Sequence, residues 1–387
     1  MKVNQMYSLL NDINQQLWSE DVQVVEDLSG IISMGTSIIG NAFGTDKFLN
    51  TLVDRIGKTV IRTLDLELTF PAMFMDSFEF GAVLQKITVN PFGAMNNTEW
   101  DVGSGGFSSD LMTIVKPQIS VKYFQGVDTW KFQVTIPDDM LFTAFQSESA
   151  MANFFDAIIG SMTDSMTISI NNLSRTAVNN FIAEKVKANN SVVNLLGDYN
   201  TLFGQTLTEK EALHDKEFLR YAVTEIGKWM KWMSEPSMAY NTDGIVRATA
   251  RDNAHAIFIT DFIRGCDTYL LSDSFHNDLL KLPGFVEIGY WQSNKDSGGY
   301  NDFDTNGTIN VIPSSEEGQL APTAVVQSGV IGVYCDRQAI AVGIDKRKAG
   351  SWYNAIDGFE QIKRSATIQY INDLSESGVV FVIDDGQ

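Results

Sequence analysis

Basic residues are scarce in this chain of 387 residues, which carries 28 Lys and Arg against 48 Asp and Glu and has a formal net charge of −20. The only basic cluster is the short segment Lys346-Arg347-Lys348. A protein that binds nucleic acid through phosphates needs a basic patch, so free-standing nucleic-acid binding is disfavoured. An acidic balance of this size instead favours solubility and mutual repulsion between chains.

Cysteine and long apolar runs are also scarce. Two cysteines, Cys266 and Cys335, are too few for a disulfide framework, so we predict two buried thiols in a reducing cytosol. No run of about 18 apolar residues exists, and the nearest, Leu28 to Thr45, is interrupted by Gly, Ser and Thr. The polar start, Met1 to Asp12, has no apolar core, so we expect no signal peptide.

Catalytic motifs are missing as well. The three histidines, His214, His255 and His276, lie outside helical spacing of one another, and we expect them at surfaces or element ends. The sequence contains no H-E-x-x-H, C-x-x-C or Walker A motif, and no G-x-G-x-x-G follows a predicted strand. Gly103-Ser104-Gly105 falls in a predicted loop rather than in a nucleophile elbow. We therefore predict no catalytic residues and no cofactor, although a triad dispersed along the sequence stays open.

One segment resembles a metal-binding loop. Asp302, Asp304 and Asn306, followed by Gly307, match the first half of an EF-hand calcium loop. The twelfth position is Pro313, where a bidentate Glu is required, and no flanking helices are predicted. An acidic surface loop with Asx turns explains the same residues. We predict no metal site, with these three residues as the one candidate.

The most prominent feature that is present is a long apolar stripe within residues 147–189. Its steps of three and four residues predict a single helix whose stripe alone spans roughly 45 Å. Such a helix suits a coiled coil, a bundle or a structural spine. The stripe consists of Met151, Phe155, Ile158, Met162, Met166, Ile170, Leu173, Ala177 and Phe181.

The chain before this helix has period-two alternation, which predicts strands. We predict that Ile119–Phe124 and Thr129–Ile136 pair across the turn 125–128 as a long two-stranded ribbon. Such ribbons are marginal alone and need a partner surface. Two further strands are predicted at Val60–Leu68 and Val83–Val89.

The chain after the long helix reads as mixed helix and strand, so the fold class is α+β. An N-terminal helical arm, the ribbon and the long helix together offer more apolar surface than one compact domain buries, which indicates protein–protein contacts. We predict helices at Thr208–Met233 and Ile263–Leu282, and strands at Ala256–Ile259, Phe285–Tyr290, Ile309–Ile312, within Val325–Asp345, within Ile362–Leu374, and at Gly378–Ile383.

Several segments carry a resemblance to a known family. The first is a strand followed by a predicted helix and then by a Pro-Gly turn: Ala256-Ile257-Phe258-Ile259-Thr260-Asp261, the helix, and Pro283-Gly284-Phe285-Val286. The others are the run 332–343 and the final pair of predicted strands within 359–383. This order of parts resembles the major capsid protein of tailed bacteriophages, with the Hong Kong 97-type fold. The resemblance implies an N-terminal arm (1–62), an extended β-hairpin loop (63–136), a peripheral domain with the spine helix (137–205), an axial domain (206–350) and return strands of the peripheral domain (351–387).

The resemblance also implies a function without catalysis. Copies would assemble as pentamers and hexamers into an icosahedral shell around phage double-stranded DNA, in a virion assembled in the host cytoplasm. Partners would be other copies, a portal and a scaffolding protein, with no membrane and no sequence-specific DNA contact. The size suggests a small short-tailed phage. Two alternatives stay open: a cellular nanocompartment shell of the same fold, and a soluble enzyme with a dispersed site.

Overall fold

A computed structural model describes part of the chain, and it divides into two compact units. The first unit comprises Met1–Glu79, Val127–Ser174 and Val342–Gln369; the second comprises Phe80–Gly126, Arg175–Ala341 and Tyr370–Gln387. The described residues are 10–11, 13, 15, 28–39, 70, 73, 84–91, 116, 119–124, 126–137, 139–140, 148–189, 191–270, 285–292, 307–313, 320, 322–354 and 356–384.

The described chain contains both helices and strands. The helices are α1 (Leu28–Ile39), α2 (Glu148–Lys187), α3 (Leu195–Phe203), α4 (Glu209–Ala212), α5 (Lys216–Met233) and α6 (Thr260–Leu270). The strands are β1 (Leu84–Val89), β2 (Ile119–Phe124), β3 (Gly126–Pro137), β4 (Val192–Asn194), β5 (Ala254–Ile259), β6 (Phe285–Ile288), β7 (Ile309–Val311), β8 (Val325–Gln327), β9 (Val330–Asp336), β10 (Ile340–Asn354), β11 (Phe359–Asn372) and β12 (Gly378–Val382).

The predicted long helix is confirmed as α2, which has 40 residues. Its residues up to 174 belong to the first unit, where Met162, Met166 and Ile170 of the predicted stripe are buried. Its residues from 175 onward belong to the second unit, where Ala177 and Phe181 are buried. In this second part the adjacent positions 178, 179, 182 and 183 are buried too, because the helix end is enclosed on more than one face.

The first unit contains a three-stranded sheet with the order β10-β11-β3. This arrangement shows that the predicted pairing of Ile119–Phe124 with Thr129–Ile136 is wrong, because β3 instead lies beside β11. In the second unit, β2 pairs antiparallel with β1, from Leu84 opposite Phe124 to Val89 opposite Ile119. Alternation predicted each strand correctly, but it specifies only which face is apolar and not which strand lies alongside.

The core of the second unit is a five-stranded sheet with the order β4-β12-β9-β5-β6. The outer pairs β4–β12 and β5–β6 are parallel, and β9 runs antiparallel to both of its neighbours. Every residue of β12 is buried, as are all residues of β9 except the last. Glycine permits the closest approaches: a Cβ at Gly378 would lie 2.6 Å from the Phe181 ring of α2.

Helices α5 and α6 pack together against this sheet. The single helix predicted over Thr208–Met233 is wrong, because the structure has α4 and α5 with a turn between them. Thr208 caps α4 through a capping box with Glu211, and the Asp215 side chain accepts a 2.7 Å hydrogen bond from the Phe218 backbone to begin α5. Two N-caps seven residues apart interrupt the helical pattern.

Other predictions meet the structure in part. The strands predicted in the C-terminal half are present within one to three residues at most ends, and both cysteines are free and buried. The helix predicted to run to Leu282 is described only to Leu270. The strand predicted over Val60–Leu68 lies outside the described residues. Within the described helices, none is long and apolar enough to cross a membrane.

Candidate assembly site

The two faces of the β1–β2 ribbon differ sharply in character. On one face, Ile87 lies opposite Val121 and Val89 lies opposite Ile119, and these four side chains are between 41% and 60% exposed. Tyr123 extends the same face and is 65% exposed. Contiguous exposed apolar surface on a strand pair is typical of a protein–protein contact.

The opposite face of the ribbon carries two lysines. Lys86 and Lys122 lie directly across from each other in the antiparallel register. Like charges at such cross-strand positions destabilise an isolated strand pair. The ribbon therefore depends on carboxylates from elsewhere in the second unit.

Those carboxylates come mainly from the turn between β11 and β12. Lys86 Nζ lies 2.8 Å from Asp373 Oδ2 and also binds Glu376 Oε2. Lys122 Nζ lies 3.2 Å from the other oxygen of Asp373 and contacts Ser375 Oγ. The Asp373 carboxylate thus bridges the two strands, and its side chain is only 3% exposed.

A second layer of charges completes the cluster. Asp243 accepts hydrogen bonds from Lys122 and, at 3.4 Å, from Arg247 Nη2. Arg247 Nη1 also binds Glu376 Oε1. We call these residues the ribbon-root cluster: Lys86, Lys122, Asp243, Arg247, Asp373, Ser375 and Glu376.

Helix α2 braces the turn from the buried side. Lys185 is fully buried and donates hydrogen bonds to the backbone carbonyls of Glu376, at 2.7 Å, and Tyr240, at 3.0 Å. Burial lowers the pKa of Lys185 to about 8, although the charge of Glu376 opposes that shift. The ammonium therefore binds the turn through backbone groups and lies near the charged side chains of Glu376, Asp373 and Arg247.

The electrostatics of the cluster keep Asp373 ionised. Burial by itself would raise the pKa of this carboxyl, but the hydrogen bond and charge of Lys86, with Ser375 and Lys122, outweigh burial and lower the pKa to about 2. A carboxylate that is stabilised in this way fixes both strands of the ribbon onto the turn before β12. The cluster is suited to holding a strand pair in place.

The two described histidines, His214 and His255, are not part of this cluster, and His276 lies outside the described residues. His214 lies between α4 and α5, and His255 is buried near the start of β5, where burial and the charge of Arg337 lower its pKa to about 4. Asp302, Asp304 and Asn306 lie outside the described residues. Within the described ranges, no group of three His, Cys, Asp or Glu is arranged to hold a metal ion.

Sequence reasoning missed the ribbon-root cluster. The alternation around Lys86 and Lys122 does place each lysine on the face opposite the apolar residues, and this was the available signal. The carboxylates that bind them lie more than 250 residues further along the chain, at Asp373 and Glu376. Only the paired register and the position of the final turn bring these groups together.

The class of protein follows from comparison with known families and structures. A family model for Phi29-like phage major capsid proteins matches residues 10–362. The chain belongs to the Phi29-like phage major capsid protein family. No curated protein sequence matches it.

Solved phage structures share the fold. A chain in the capsid structure of Staphylococcus phage Andhra is 11% identical, with 81% of this chain and 84% of that chain covered and a TM-score of 0.51. A chain in the structure of the head fiber and inner core protein gp22 of native bacteriophage P68 is 9% identical, with the same coverages and a TM-score of 0.54. At such low identity these similarities concern the fold, which is the Hong Kong 97-type capsid fold predicted from the sequence.

Family and fold together confirm the capsid interpretation. The chain is a structural component of a phage capsid shell and is not an enzyme. It is therefore part of the virion, and its partners include other copies of itself. The cellular nanocompartment and the dispersed-site enzyme lose their support, because the matching family is one of phage capsid proteins.

Proposed function

We propose that copies of this chain assemble as pentamers and hexamers into an icosahedral shell that encloses phage double-stranded DNA. The observation that carries the proposal is the β1–β2 ribbon, whose apolar face is exposed while its charged face is bound by the ribbon-root cluster. A ribbon that is fixed at its root and apolar on its outer face is suited to contact a neighbouring subunit.

The wider assembly follows from the same role. We infer that the partners of the shell include a portal and a scaffolding protein, and that the shell assembles in the host cytoplasm. The net charge of −20 suits a container for DNA, because an acidic wall does not hold the packaged polyanion. The domain scheme, with an arm at 1–62, an extended loop at 63–136, peripheral segments at 137–205 and 351–387 and an axial domain at 206–350, belongs to this proposal.

The test replaces apolar side chains on the exposed ribbon face. Val121→Thr combined with Tyr123→Thr places threonine, a β-branched residue of good strand propensity, at both positions and removes apolar surface. We expect the variant subunit to keep its melting temperature and to lose shells, as seen by electron microscopy after expression with the other head proteins of the phage. Val326→Thr is the matched control, since Val326 is a valine of β8 that is 64% exposed.

Two results would count against the proposal. One is a wild-type chain that never forms pentamers, hexamers or shells alongside the other head proteins. The other is normal shell formation by the ribbon double variant, which would mean that the exposed face makes no necessary contact.

A further inference from the structure

A cleft of about 490 Å³ opens beside the ribbon root in the second unit. One wall is the edge of β1, and the other is the turn that joins β9 to β10. Its lining combines cationic, amide and apolar side chains in a strongly acidic chain. The lining includes Ile87, Val89, Asp336, Arg337, Arg247 and Glu376.

The carboxylates in this cleft are already occupied. Asp336 Oδ2 accepts a 2.6 Å hydrogen bond from Thr249 Oγ1, and Asp336 Oδ1 accepts one of 2.8 Å from the Gln338 backbone. Both oxygens of Glu376 are engaged by Arg247 and Lys86. The internal anions of the cleft are therefore committed to groups other than Arg337.

The cleft has three cationic side chains, and Lys86 and Arg247 are both paired with carboxylates. Arg337, the third, makes no ion pair with a carboxylate among the described residues. It is exposed, and its position is fixed because its backbone N–H donates a 2.8 Å hydrogen bond to the Asn253 carbonyl. The turn that carries it is closed by a 3.0 Å hydrogen bond from Ala339 N to Asp336 O. A guanidinium on a fixed turn is well suited to bind an external carboxylate.

The apolar wall defines what else the occupant carries. Ile87 is 60% exposed and Val89 is 52% exposed, and both line the cleft with Arg337. The complementary segment has a large apolar side chain next to a carboxylate. It must also be presented outward on a second copy, because the chain functions in a shell of many copies.

The tip of the β10–β11 hairpin has this chemistry. Ile356 is 93% exposed, and the exposed Asp357 follows it directly. The Asn354 side chain holds the tip, donating to Asp357 Oδ2 at 2.7 Å and accepting from the Ile356 backbone at 3.0 Å. Gly358, with φ of 63°, closes the turn in the left-handed region.

We propose that the cleft beside the ribbon root binds the Ile356-Asp357 tip of a second copy, with Arg337 binding the Asp357 carboxylate and Ile356 packing on Ile87 and Val89. The pairing rests on the shell function proposed above and identifies one of its contacts. A charge pair at the edge of an apolar contact supplies specificity and register between like-charged subunits.

The test exchanges the two charges. Arg337→Glu alone and Asp357→Lys alone each place like charges together, and we expect each to lower the yield of shells by about tenfold or more. The double variant restores an opposite pair in reversed order, and its yield should return to near that of the wild type. Arg220→Glu is the matched control, since Arg220 is an exposed arginine of α5 and the change in net charge is identical.

A cross-link identifies which chains are joined. With Arg337→Cys and Asp357→Cys in one chain, oxidised shells should contain disulfide-linked chains, while the native Cys266 and Cys335 are buried. The pairing would be overturned if the disulfide formed within one chain instead of between two chains, or if either single charge reversal left the yield of shells unchanged. It would also be overturned if the double variant did not recover, or if Arg220→Glu lowered the yield of shells equally. Wild-type shells in the same experiment show that such a result concerns this contact and not the shell function.

Discussion

Asp373→Asn removes one negative charge from between two lysines while leaving a side chain of nearly the same shape. In the folded chain Asp373 bridges Lys86 and Lys122, and its side chain is 3% exposed. The amide cannot neutralise either ammonium, so among the described residues the two cross-strand lysines retain Glu376 and Asp243 as carboxylate partners. We expect the root of the ribbon to lose stability without any change in packing volume.

The magnitude follows from the pKa of the carboxyl. A group whose pKa is about 2 in the folded chain and 3.8 ordinarily favours the folded state at neutral pH by about 2.4 kcal/mol, at 1.36 kcal/mol for each pKa unit. Breaking a fully buried ion pair costs about 3–5 kcal/mol. Lys86 and Lys122 retain 14% and 28% exposure, so partial hydration places the expected loss nearer the lower figure.

The lowered pKa of Asp373 also predicts how the stability of the subunit changes with pH. Because the folded pKa lies below the ordinary value, the stabilisation is complete above pH 3.8 and is lost as the pH falls through 3.8 towards about 2. The unfolding free energies of wild type and Asp373→Asn should therefore differ by about 2 kcal/mol near neutral pH and converge in acid. Denaturant titrations of the unassembled subunit at a series of pH values measure both, and hydrogen exchange at residues 84–89 and 119–124 locates the loss.

The control is Glu217→Gln, which removes a carboxylate from an exposed pair with Arg220 on α5. Exposed pairs contribute little, so this variant should stay within about 0.5 kcal/mol of the wild type at every pH. An Asp373→Asn difference that is absent, or that is equally large in acid and at neutral pH, would refute the assignment of Asp373 as the ionised bridge.

Three further predictions concern the buried parts of each unit. Met166→Asp places a charge on the buried stripe of α2 and should destabilise the subunit by several kcal/mol; an unchanged melting temperature would mean that the stripe is not buried. Gly332→Ala puts a Cβ into the Phe258 ring and should cost about 1–3 kcal/mol in denaturant unfolding, whereas a neutral effect would contradict the close contact of β9 with β5. Cys266 and Cys335, both buried and with the pKa of each thiol raised to about 12, should resist alkylation until the chain unfolds; rapid labelling of the native subunit, followed by mass spectrometry, would refute their burial.

Local patterns predicted the elements of this fold better than their partners. The stripe of α2 gave the right helix, because apolar residues three and four apart must share one face. The strand predicted over 119–124 is also confirmed, but the strand predicted to pair with it is not its partner. The nearer candidate, β3, is separated from β2 by a single residue, but the register instead joins β2 to β1 some thirty residues earlier.

The ribbon-root cluster could not be predicted from the sequence for a further physical reason. Its binding groups are short polar side chains in a turn, where Asp, Ser and Glu are expected on conformational grounds alone. Nothing local distinguishes Asp373 from the many other acidic residues of the chain. The distinction is burial beside two lysines, and burial in a turn depends on the packing of β12, Lys185 and the ribbon together.

The same alternation that exposes the apolar face of the ribbon also creates its charged root. A slip of one residue in either strand would turn Lys86 or Lys122 outward and direct Ile87 or Val121 at the carboxylates. Such a slip removes one of the two lysines from the buried Asp373 carboxylate, and removing a partner from a buried ion pair costs more than the net value of the pair. The cluster therefore contributes less to overall stability than to register. By fixing the register it determines which side chains the ribbon presents outward, and the outward face is the surface that the assembly of copies requires.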